Sequence, residues 1–590
     1  MINYYEERIR NEQKEFETLQ KKNNVTSNLR LAAIIVSAIL LYFLFKTSVL
    51  FTFLSIFLIL AGFYFLVRYH EKVQDELDLK KVLLDVLKNE VNILEGKGNT
   101  YSSGEQFIND KHDFASDLDV FGGFSLFHML NRGRTKAGQA KLADSLLASP
   151  IKSEIEALQK ANIELRNKAI WGQNFQASLF ELSGAPIEGL IGLENPPKIK
   201  FEGLIKYYAF LKWVLAIGVI AVFYYYGVGV GVTTLFGLVA FNYSLVGVNR
   251  KVTEPYFNKI KGLNRDLGKF KTAIDWILKE EWRSDYLSRA YKLLPTDGKN
   301  PIEAFQLISK KIDMKNNQFA AFFLYAFSPF DLVQLVYLRK WVNENPGFFQ
   351  KIFGVIADFE QVTSLATLSF NQPKWAIPEF AENSGVRISG EGLGHALKPD
   401  SVCNDFDLNT NNRLTLITGS NMSGKSTFLR TLGTNVILAY AGSCVFARSL
   451  SLNTGIQLFA YMRIKDSLEQ DSSTFKAEID RIKILLEAMD NVPKSLLLVD
   501  EMLRGTNSED KLKGSLAFLE RVIKSDAFAL VATHDLRMTD MAKTYPEHSK
   551  NYYFEYDAED GELIFDYKMK PGICHSFNAS ELLRSVGLDV

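Results

Sequence analysis

A glycine-rich segment in the last third of the chain, GSNMSGKST at residues 419–427, carries residue types suited to binding phosphate. It matches the pattern G-x-x-x-x-G-K-[ST], whose backbone N–H groups surround phosphate oxygens. Its two glycines permit backbone angles that a Cβ would block. Lys425 brings a positive charge to the β- and γ-phosphates, and the Ser426 hydroxyl is a ligand for Mg²⁺. We therefore expect ATP and Mg²⁺ to bind here, with nucleotide contacts from Gly419, Asn421, Ser423, Gly424, Lys425, Ser426 and Thr427.

Two adjacent carboxylates follow an apolar run further along the chain. Ser495 to Val499 is predicted to be a buried strand, and it leads into Asp500 and Glu501. At such a strand end Asp500 would hold Mg²⁺, while Glu501 would orient and deprotonate the attacking water. The alternative is a strand that ends in two acids beside a turn. The glycine-rich segment upstream favours the catalytic interpretation.

A histidine is expected at the same sheet edge. His534 follows the apolar run Phe528 to Ala532, much as the glycine-rich segment follows the run Leu414 to Ile417. Because ligands bind at the carboxyl ends of strands in open α/β sheets, we interpret His534 as a sensor of the γ-phosphate. A purely structural histidine is the alternative. The predicted reaction is ATP hydrolysis, with catalytic residues Glu501, His534 and Asp500 and metal ligands Ser426 and Asp500.

These motifs resemble the ATPase domain of the MutS family of mismatch-repair proteins. GSNMSGKSTFLR is similar to the phosphate loop of that family, DEMLRGTNSED to its acidic strand end, and VATHD to its histidine segment. The resemblance implies an ABC-type α/β ATPase fold. It is specific over residues 400–590, looser over about 121–390, and absent from the first hundred residues.

A loop between these motifs extends the resemblance. DSLEQDSSTFKAEIDRI is similar to the signature loop of the family, with Ser473, Thr474, Phe475 and Glu478 at corresponding positions. In the family this loop reaches across a dimer, so the resemblance implies a homodimer with composite ATP sites and a trans contact from Ser473. Asp471-Ser472 departs from the Gly-Arg-like pair usual there, and an acid beside a triphosphate is electrostatically unfavourable. The same residues also fit an ordinary capped helix N-terminus.

Overall composition gives no support for nucleic-acid binding. The chain has 68 basic and 68 acidic residues and a formal net charge of zero. Its three cysteines lack metal-ligand spacing, which is typical of a reducing compartment. Mismatch recognition in the family uses an N-terminal domain with a Phe-x-Glu wedge, for which the helical and apolar N-terminal region leaves no room. We interpret Phe380-Ala381-Glu382, at the ATPase entry, as a coincidental match. DNA is a candidate partner only.

Two apolar stretches near the N-terminus predict a transmembrane hairpin. Leu31 to Phe45 and Val49 to Val67 carry no charge and are separated by Lys46-Thr47-Ser48. The second stretch suits a hydrocarbon core of about 30 Å, and basic residues at the ends of the first can snorkel. A buried soluble hairpin is the alternative. Both arms are apolar around their whole circumference, which favours the membrane.

A second apolar pair interrupts the helical core. Trp213 to Tyr226 and Val230 to Val248 are joined at Gly227-Val228-Gly229. Its aromatic residues fit an interfacial belt, although helical levers in soluble proteins have apolar hairpins of their own. Basic residues flank both hairpins away from their turns, which predicts cytoplasmic termini and a cytoplasmic ATPase. The predicted location is the cytoplasmic (inner) membrane, with several spans.

The predicted architecture is an α/β P-loop ATPase domain that follows a mostly α-helical core with transmembrane helical hairpins. We expect seven consecutive segments in this order. They are a charged helix (1–29), a first hairpin (30–68), a helix and loop connector (69–120), a first part of the helical core (121–204), a second hairpin (205–249), a second part of the core (250–385) and the ATPase domain (386–590).

Two functions stay open from the sequence. One is a membrane-anchored, MutS-like dimeric ATPase that drives a helical clamp, with a DNA-binding or mismatch-repair role. The other is a membrane scaffold or signalling ATPase with no nucleic-acid substrate. A transporter is a weaker third interpretation, because the apolar segments lack the charged residues that substrate routes carry. Asn242 is their most conspicuous polar residue.

Overall fold

A helical part precedes an α/β part in the chain. The computed structural model describes residues 1–47, 49–180, 188–191, 197–295, 301–314, 324–325, 328–381, 387–420, 422–462, 474–505, 507–559 and 562–574. Within these residues, the last helix of the helical part ends at Asn371 and the first strand begins at Glu379.

The helical part comprises α1 (Ile2–Thr47), α2 (Val49–Leu94), α3 (Leu126–Leu130), α4 (Lys136–Leu147), α5 (Lys152–Arg166), α6 (Ala169–Ser178), α7 (Glu188–Ile191), α8 (Glu202–Asn258), α9 (Asn264–Leu278), α10 (Asp285–Tyr291), α11 (Pro301–Met314), α12 (Phe330–Glu344) and α13 (Phe348–Asn371). The helices of the α/β part are α14 (Lys425–Tyr440), α15 (Thr474–Asn491), α16 (Ser508–Lys524) and α17 (Met541–Thr544). Short 3₁₀ helices lie at Glu105–Phe107 and Leu536–Asp540.

The strands are β1 (Glu379–Ala381), β2 (Arg387–Leu393), β3 (Asn404–Asn409), β4 (Leu414–Thr418), β5 (Ser449–Asn453), β6 (Gln457–Tyr461), β7 (Ser495–Asp500), β8 (Phe528–Thr533), β9 (Ser549–Tyr553), β10 (Tyr556–Glu559), β11 (Glu562–Phe565) and β12 (Lys570–Pro571).

A six-stranded sheet forms the centre of the α/β part, in the order β12-β9-β4-β8-β7-β6. β9, β4, β8, β7 and β6 are parallel, and β12 joins the edge antiparallel. Every residue of β4, β7 and β8 is buried, which explains why their sequences are continuous apolar runs rather than alternating ones. Thr418 pairs with Thr533 and Asp500 with Ala532, so these three strands end at one level of the sheet.

A second, four-stranded sheet has the order β1-β5-β2-β3. β1 pairs with β5, where Phe380 faces Leu452. The predicted start of the ATPase domain at residue 386 therefore separates β1 from its own sheet. Phe380 and Ala381 of the Phe-Ala-Glu match lie in β1, whereas Glu382 falls outside the described residues.

α1 and α2 form a long antiparallel pair. The Asn23 amide donates to Gln74, and Thr26 Oγ1 lies 2.9 Å from His70 Nδ1. α1 runs without a break through the predicted boundary at residues 29 and 30, and α2 runs through the one at residues 68 and 69. Charged and apolar halves therefore share one helix in each arm, because the backbone hydrogen bonds of a helix form whatever the polarity of its side chains.

Buried polar groups attach this pair to the helical core. The Tyr5 hydroxyl of α1 donates to Asn371 Oδ1 at 2.8 Å, and the Asn371 amide donates to Glu90 Oε2 of α2 at 2.9 Å. Glu90 also forms a buried ion pair with Arg132. Asn371 is the last residue of α13, which is buried along most of its length and packs against α4, α5 and α6. The N-terminal pair is thus fixed to the helix that leads into the α/β part.

The chain reverses direction within α8. Gly227 has φ 80° and ψ 173°, outside the helical region. A Cβ on Gly231 would lie 2.4 Å from the Phe223 ring, whereas eight residues of uninterrupted helix would separate these positions by about 12 Å. At the other end, the Lys200 N–H donates to Asn249 Oδ1 at 2.7 Å. The two arms therefore lie side by side and meet again at their base.

Both long helical pairs expose apolar side chains. Tyr224 is 81 % exposed, Phe210 75 % and Ile217 69 %. By length and apolar composition, two helical stretches among the described residues are suited to cross a membrane, Ile2–Lys46 and Phe210–Asn258. Asn242 is buried, and its amide donates to the Tyr325 carbonyl at 2.8 Å. The amide nitrogen of this polar residue therefore has a partner in the core, whereas its Oδ1 is buried without a hydrogen-bond partner.

Candidate functional site

The loop between β4 and α14, residues 419–424 and hereafter the glycine-rich loop, lies at the carboxyl edge of the six-stranded sheet. Gly419 has φ 146°, and a Cβ there would lie 2.6 Å from the Phe554 carbonyl oxygen. Gly424 has φ 113° and precedes the first residue of α14. Both positions therefore require glycine. The loop delivers the chain into a helix whose first N–H groups lack intrahelical partners, which is a site for anions.

Lys425 is buried at the start of α14 and points back into this loop. Its Nζ donates to the carbonyl oxygens of Gly419 at 2.8 Å and Ser420 at 2.7 Å. Burial lowers the pKa of Lys425 to about 8, although the charges of Glu501 and Asp500 oppose this shift. Both carboxylates therefore lie close enough to act electrostatically on the lysine.

Asp500 and Glu501 lie where β7 ends. Asp500 is buried, and the backbone N–H of Glu501 donates to the Ala532 carbonyl at 3.0 Å. Glu501 has φ 56°, the left-handed region that non-glycine residues rarely adopt. The turn aims its carboxylate across the sheet edge at His534 Nε2, with Arg504 Nε 3.6 Å from the other oxygen. The hydrogen bond with His534 and the charges around it hold the pKa of Glu501 at about 2, against the effect of burial.

His534 connects the acid to the glycine-rich loop. Its Nδ1 lies 2.8 Å from the Gly419 carbonyl oxygen and 3.5 Å from Lys425 Nζ, while Nε2 contacts Glu501. A carbonyl and a carboxylate are both acceptors, so each ring nitrogen of His534 faces a hydrogen-bond acceptor. Gly419, Lys425, Glu501 and His534, which the sequence predicted as one site, are therefore joined by direct contacts.

The remaining predicted residues are placed as follows. Ser426 and Thr427 lie in the first turn of α14, with Ser426 exposed, and the Ser423 hydroxyl donates to the Ser420 carbonyl within the loop at 2.9 Å. Asn421, Ser473 and the Asp471-Ser472 pair lie outside the described residues. Their contacts with a nucleotide stay predictions.

The donor set near the loop fits Mg²⁺. Within the described ranges no group of three or more His, Cys, Asp or Glu side chains is arranged to hold a metal ion by itself. Mg²⁺ usually keeps several waters and takes its other ligands from one or two protein oxygens and substrate phosphates. Ser426 and Asp500 provide one hydroxyl and one carboxylate of this kind.

Glu478 and Tyr567 contribute contacts that the motifs alone did not predict. The Glu478 carboxylate of α15 accepts the backbone N–H groups of Arg504 at 3.0 Å and Gly505 at 3.2 Å. The Tyr567 ring lies 3.3 Å from where a Cβ on Gly424 would be. Tyr567 comes more than 140 residues after the loop, so no local spacing indicates this contact.

Comparisons with known proteins agree with this geometry. Residues 415–584 match the family model described as MutS domain V. The DNA mismatch repair protein MutS of Thermotoga neapolitana is 29 % identical over 256 residues, which cover 43 % of this chain and 31 % of that protein. The DNA mismatch repair protein MutS of Thermotoga maritima is 30 % identical over 237 residues, which cover 39 % of this chain and 29 % of that protein.

A protein from an Aspergillus species gives a similar match. The DNA mismatch repair protein msh3 of Aspergillus oryzae is 31 % identical over 245 residues, which cover 40 % of this chain and 21 % of that protein. The chain thus spans less than a third of the length of these curated relatives. The resemblance seen in the motifs is confirmed over the α/β part, where residues 415–584 match domain V of the MutS family.

Proposed function

We propose that this protein binds ATP with Mg²⁺ where β4, β7 and β8 end, and hydrolyses it. One observation carries this proposal: Lys425 and Glu501 meet through His534 beside the N-terminus of α14. A phosphate-binding cation and a candidate base thus both contact His534, and each follows a strand that the sheet holds in register. Such an arrangement suits transfer of a phosphoryl group to water.

The glycine-rich loop and α14 bind the phosphates in this proposal. Loop N–H groups and the helix N-terminus attract the negative charge of the β- and γ-phosphates. Lys425 now donates to two neutral carbonyl oxygens. Phosphate oxygens carry full charge and form stronger hydrogen bonds with an ammonium, so the lysine can exchange one partner for the other.

The acid pair divides two tasks. Asp500 and Ser426 hold Mg²⁺, which supplies charge neutralisation at the phosphates when bound. Glu501, whose pKa is held at about 2, is ionised at neutral pH and accepts a hydrogen bond from water. Its low proton affinity makes it a weak base while His534 donates to it, so orienting the water is its main contribution until that contact loosens.

His534 is then the sensor of the γ-phosphate. The ring already bridges the loop carbonyl of Gly419 and the carboxylate of Glu501. A third acceptor, the γ-phosphate oxygen, competes for the same N–H groups. Contact with that oxygen withdraws a hydrogen bond from Glu501 and raises its proton affinity. Substrate binding thereby improves the base.

We propose a homodimer in which each ATP site is completed by the partner. The basis is the resemblance of residues 466–482 to the signature loop of the family, in which Ser473 corresponds to the residue that contacts the γ-phosphate in trans. Size measurements of the full chain with and without ATP test this. A monomer that hydrolyses ATP at full rate would contradict it.

We also propose that the chain is anchored in the cytoplasmic membrane through the α1–α2 pair and α8. Exposed apolar side chains cover the arms of α8 on both sides of Gly227, and the charged residues lie towards the base. Water-exposed apolar patches of this extent are unusual on monomeric soluble proteins. Recovery of the chain in the soluble fraction without detergent would contradict this anchoring.

The output of the ATPase has two candidates. The curated relatives are named as DNA mismatch repair proteins, which favours a helical clamp on DNA. The neutral net charge and the exposed apolar helices favour a membrane scaffold or signalling ATPase. ATP hydrolysis by the detergent-purified chain should be measured at low salt with duplex, mismatched and branched DNA. Salt-sensitive stimulation would favour the clamp, and indifference to every DNA would favour the scaffold.

A further inference from the structure

Residues 112–119 belong to the connector between α2 and α3, yet they dock on the α/β part. The Ala460 N–H of β6 donates to the Asp113 carbonyl at 2.9 Å, and the Met462 N–H donates to Asp117 Oδ1 at 3.2 Å. β6 is an edge strand of the six-stranded sheet. The connector therefore covers the polar backbone of that edge.

Asp117 also contacts the helix that follows β6. Its Oδ2 lies 3.2 Å from the terminal nitrogen of Arg481 on α15, which donates to the Asp113 carbonyl at 2.8 Å as well. The side chains of Asp117 and Arg481 are only 6 % and 18 % exposed, so water screens this ion pair weakly. One carboxylate thus joins the end of a strand to the next helix.

The same helix reaches the turn that holds the candidate base. Glu478 lies one turn before Arg481 on α15 and is 1 % exposed. Its two oxygens accept the backbone N–H groups of Arg504 and Gly505, at 3.0 and 3.2 Å. The Arg504 guanidinium donates to the Asp500 carbonyl at 2.7 Å.

We propose that Asp117 and Glu478 are positioning residues for Glu501. Asp117 fixes α15 through Arg481, and α15 fixes the turn after β7 through Glu478. The inference rests on the proposed function, since it assigns these residues to the reaction that Glu501 performs. It also gives the connector, which starts where α2 ends, a direct physical route to the ATP site.

Glu501 needs such support because its own backbone is strained. A residue held at φ 56° tends to relax towards a commoner conformation unless neighbouring contacts fix it. The two N–H groups held by Glu478 follow Glu501 by three and four residues and lie in the same turn. Loosening them changes the direction of the carboxylate without touching the glycine-rich loop.

The first test is Asp117→Asn in the full chain in detergent. The amide oxygen still accepts the Met462 N–H, but Arg481 loses a charged partner and keeps its hydrogen bonds to the carbonyls of Ala460, His112 and Asp113. We expect kcat for ATP hydrolysis, measured well below the Tm, to fall by about three- to tenfold while the Kd for a fluorescent ATP analogue stays unchanged. The Tm should fall by a few degrees, because a weakly screened ion pair is lost. The matched control is Asp490→Asn, which removes an exposed ion pair with Arg521 from the far end of α15 and should leave kcat unchanged.

The second test is a double-mutant cycle with Glu478→Gln. If both residues act through one route, the kcat of the double variant should equal that of the less active single variant. Independent, multiplicative losses would overturn the proposal, as would a lowered Tm with normal kcat in Asp117→Asn. Should Asp117→Asn not fold, Arg481→Lys takes its place, with the same expected fall in kcat.

The outcome is distinguishable from failure of the proposed function. If Glu501→Gln hydrolyses ATP normally, the assignment of the base fails, whatever Asp117 does. If Glu501→Gln is inactive while Asp117→Asn and Glu478→Gln keep full kcat, only the positioning proposal fails.

Discussion

The side chains at the sheet edge around Glu501 and those on the arms of α8 have opposite surroundings. At the sheet edge, Lys425, His534 and Glu501 contact one another or backbone carbonyls. In α8, Tyr224 and Ile217 project outwards and are 81 % and 69 % exposed. The first region is arranged around charge, and the second presents mostly apolar surface.

This contrast separates the two proposed roles, ATP hydrolysis at the sheet edge and membrane anchoring by α8. Hydrogen-bonded charges are fixed in place because a buried charge without a partner is costly. Exposed apolar groups are costly only in water, and a hydrocarbon phase removes that cost. A substitution in either region should therefore leave the property of the other region intact.

Glu501→Gln should have the largest effect on the sheet edge. We expect hydrolysis to fall by roughly a hundredfold or more, because the amide cannot take a proton from water. Binding of a fluorescent ATP analogue should persist, since the glycine-rich loop and Lys425 are unchanged. Glu509→Gln is the matched control, an exposed residue in the first turn of α16. Turnover at the normal rate would remove Glu501 from the reaction.

Lys425→Ala should weaken nucleotide binding by roughly ten- to a hundredfold, the worth of a hydrogen bond to a charged group. The Tm should not fall, because burial of the ammonium is unfavourable, as its pKa of about 8 indicates. Lys483→Ala, on the exposed face of α15, provides the control. Titration of a fluorescent ATP analogue gives the affinity, and an unchanged Kd would contradict the assignment of the loop.

Ile220→Lys, in the first arm of α8, should reduce the association of the chain with membranes. Ile220 is 68 % exposed in the first arm of α8, and a charge at the centre of a span costs about 2.5–3.5 kcal/mol. We expect a smaller fraction of the chain in carbonate-washed membranes. Phe124→Lys, at a loop residue that is 66 % exposed, should have no such effect. Equal membrane fractions for the two variants would indicate that α8 faces water.

Raising the pH from 7 to 9 should produce the smallest effect, a several-fold loss of ATP affinity. The pKa of Lys425 is lowered to about 8, so the ammonium is present below this pH and is lost above it. Glu501, with a pKa of about 2, stays ionised throughout and does not contribute. Phosphate groups are already ionised at pH 7. Affinities that stay constant across this range would contradict the buried lysine as the phosphate ligand.

Much of the sheet edge was predictable from local sequence. The apolar runs at Leu414, Ser495 and Phe528 begin where β4, β7 and β8 begin, and each strand extends one residue further than its run. Continuous apolar runs are reliable here because both faces of a central parallel strand are buried. The residues that follow the strands then meet at one edge because the strands are in register.

Contacts between distant segments that carry no motif were not predictable. Asp117 and Met462 are 345 residues apart, and nothing in DLD or YMR indicates that they meet. The ends of the helices were predicted less accurately than the ends of the strands, for a different reason. α1 and α2 continue through their polar and apolar halves, so the change in composition does not mark a change in secondary structure.

The left-handed backbone of Glu501 has a consequence for how this chain can be improved. A conformation of this kind costs about 1–3 kcal/mol, and glycine adopts it freely. Selection for heat tolerance alone should therefore favour loss of the side chain at this position. Directed evolution for thermal stability alone would therefore enrich inactive variants. A screen should measure thermal stability and ATP hydrolysis together.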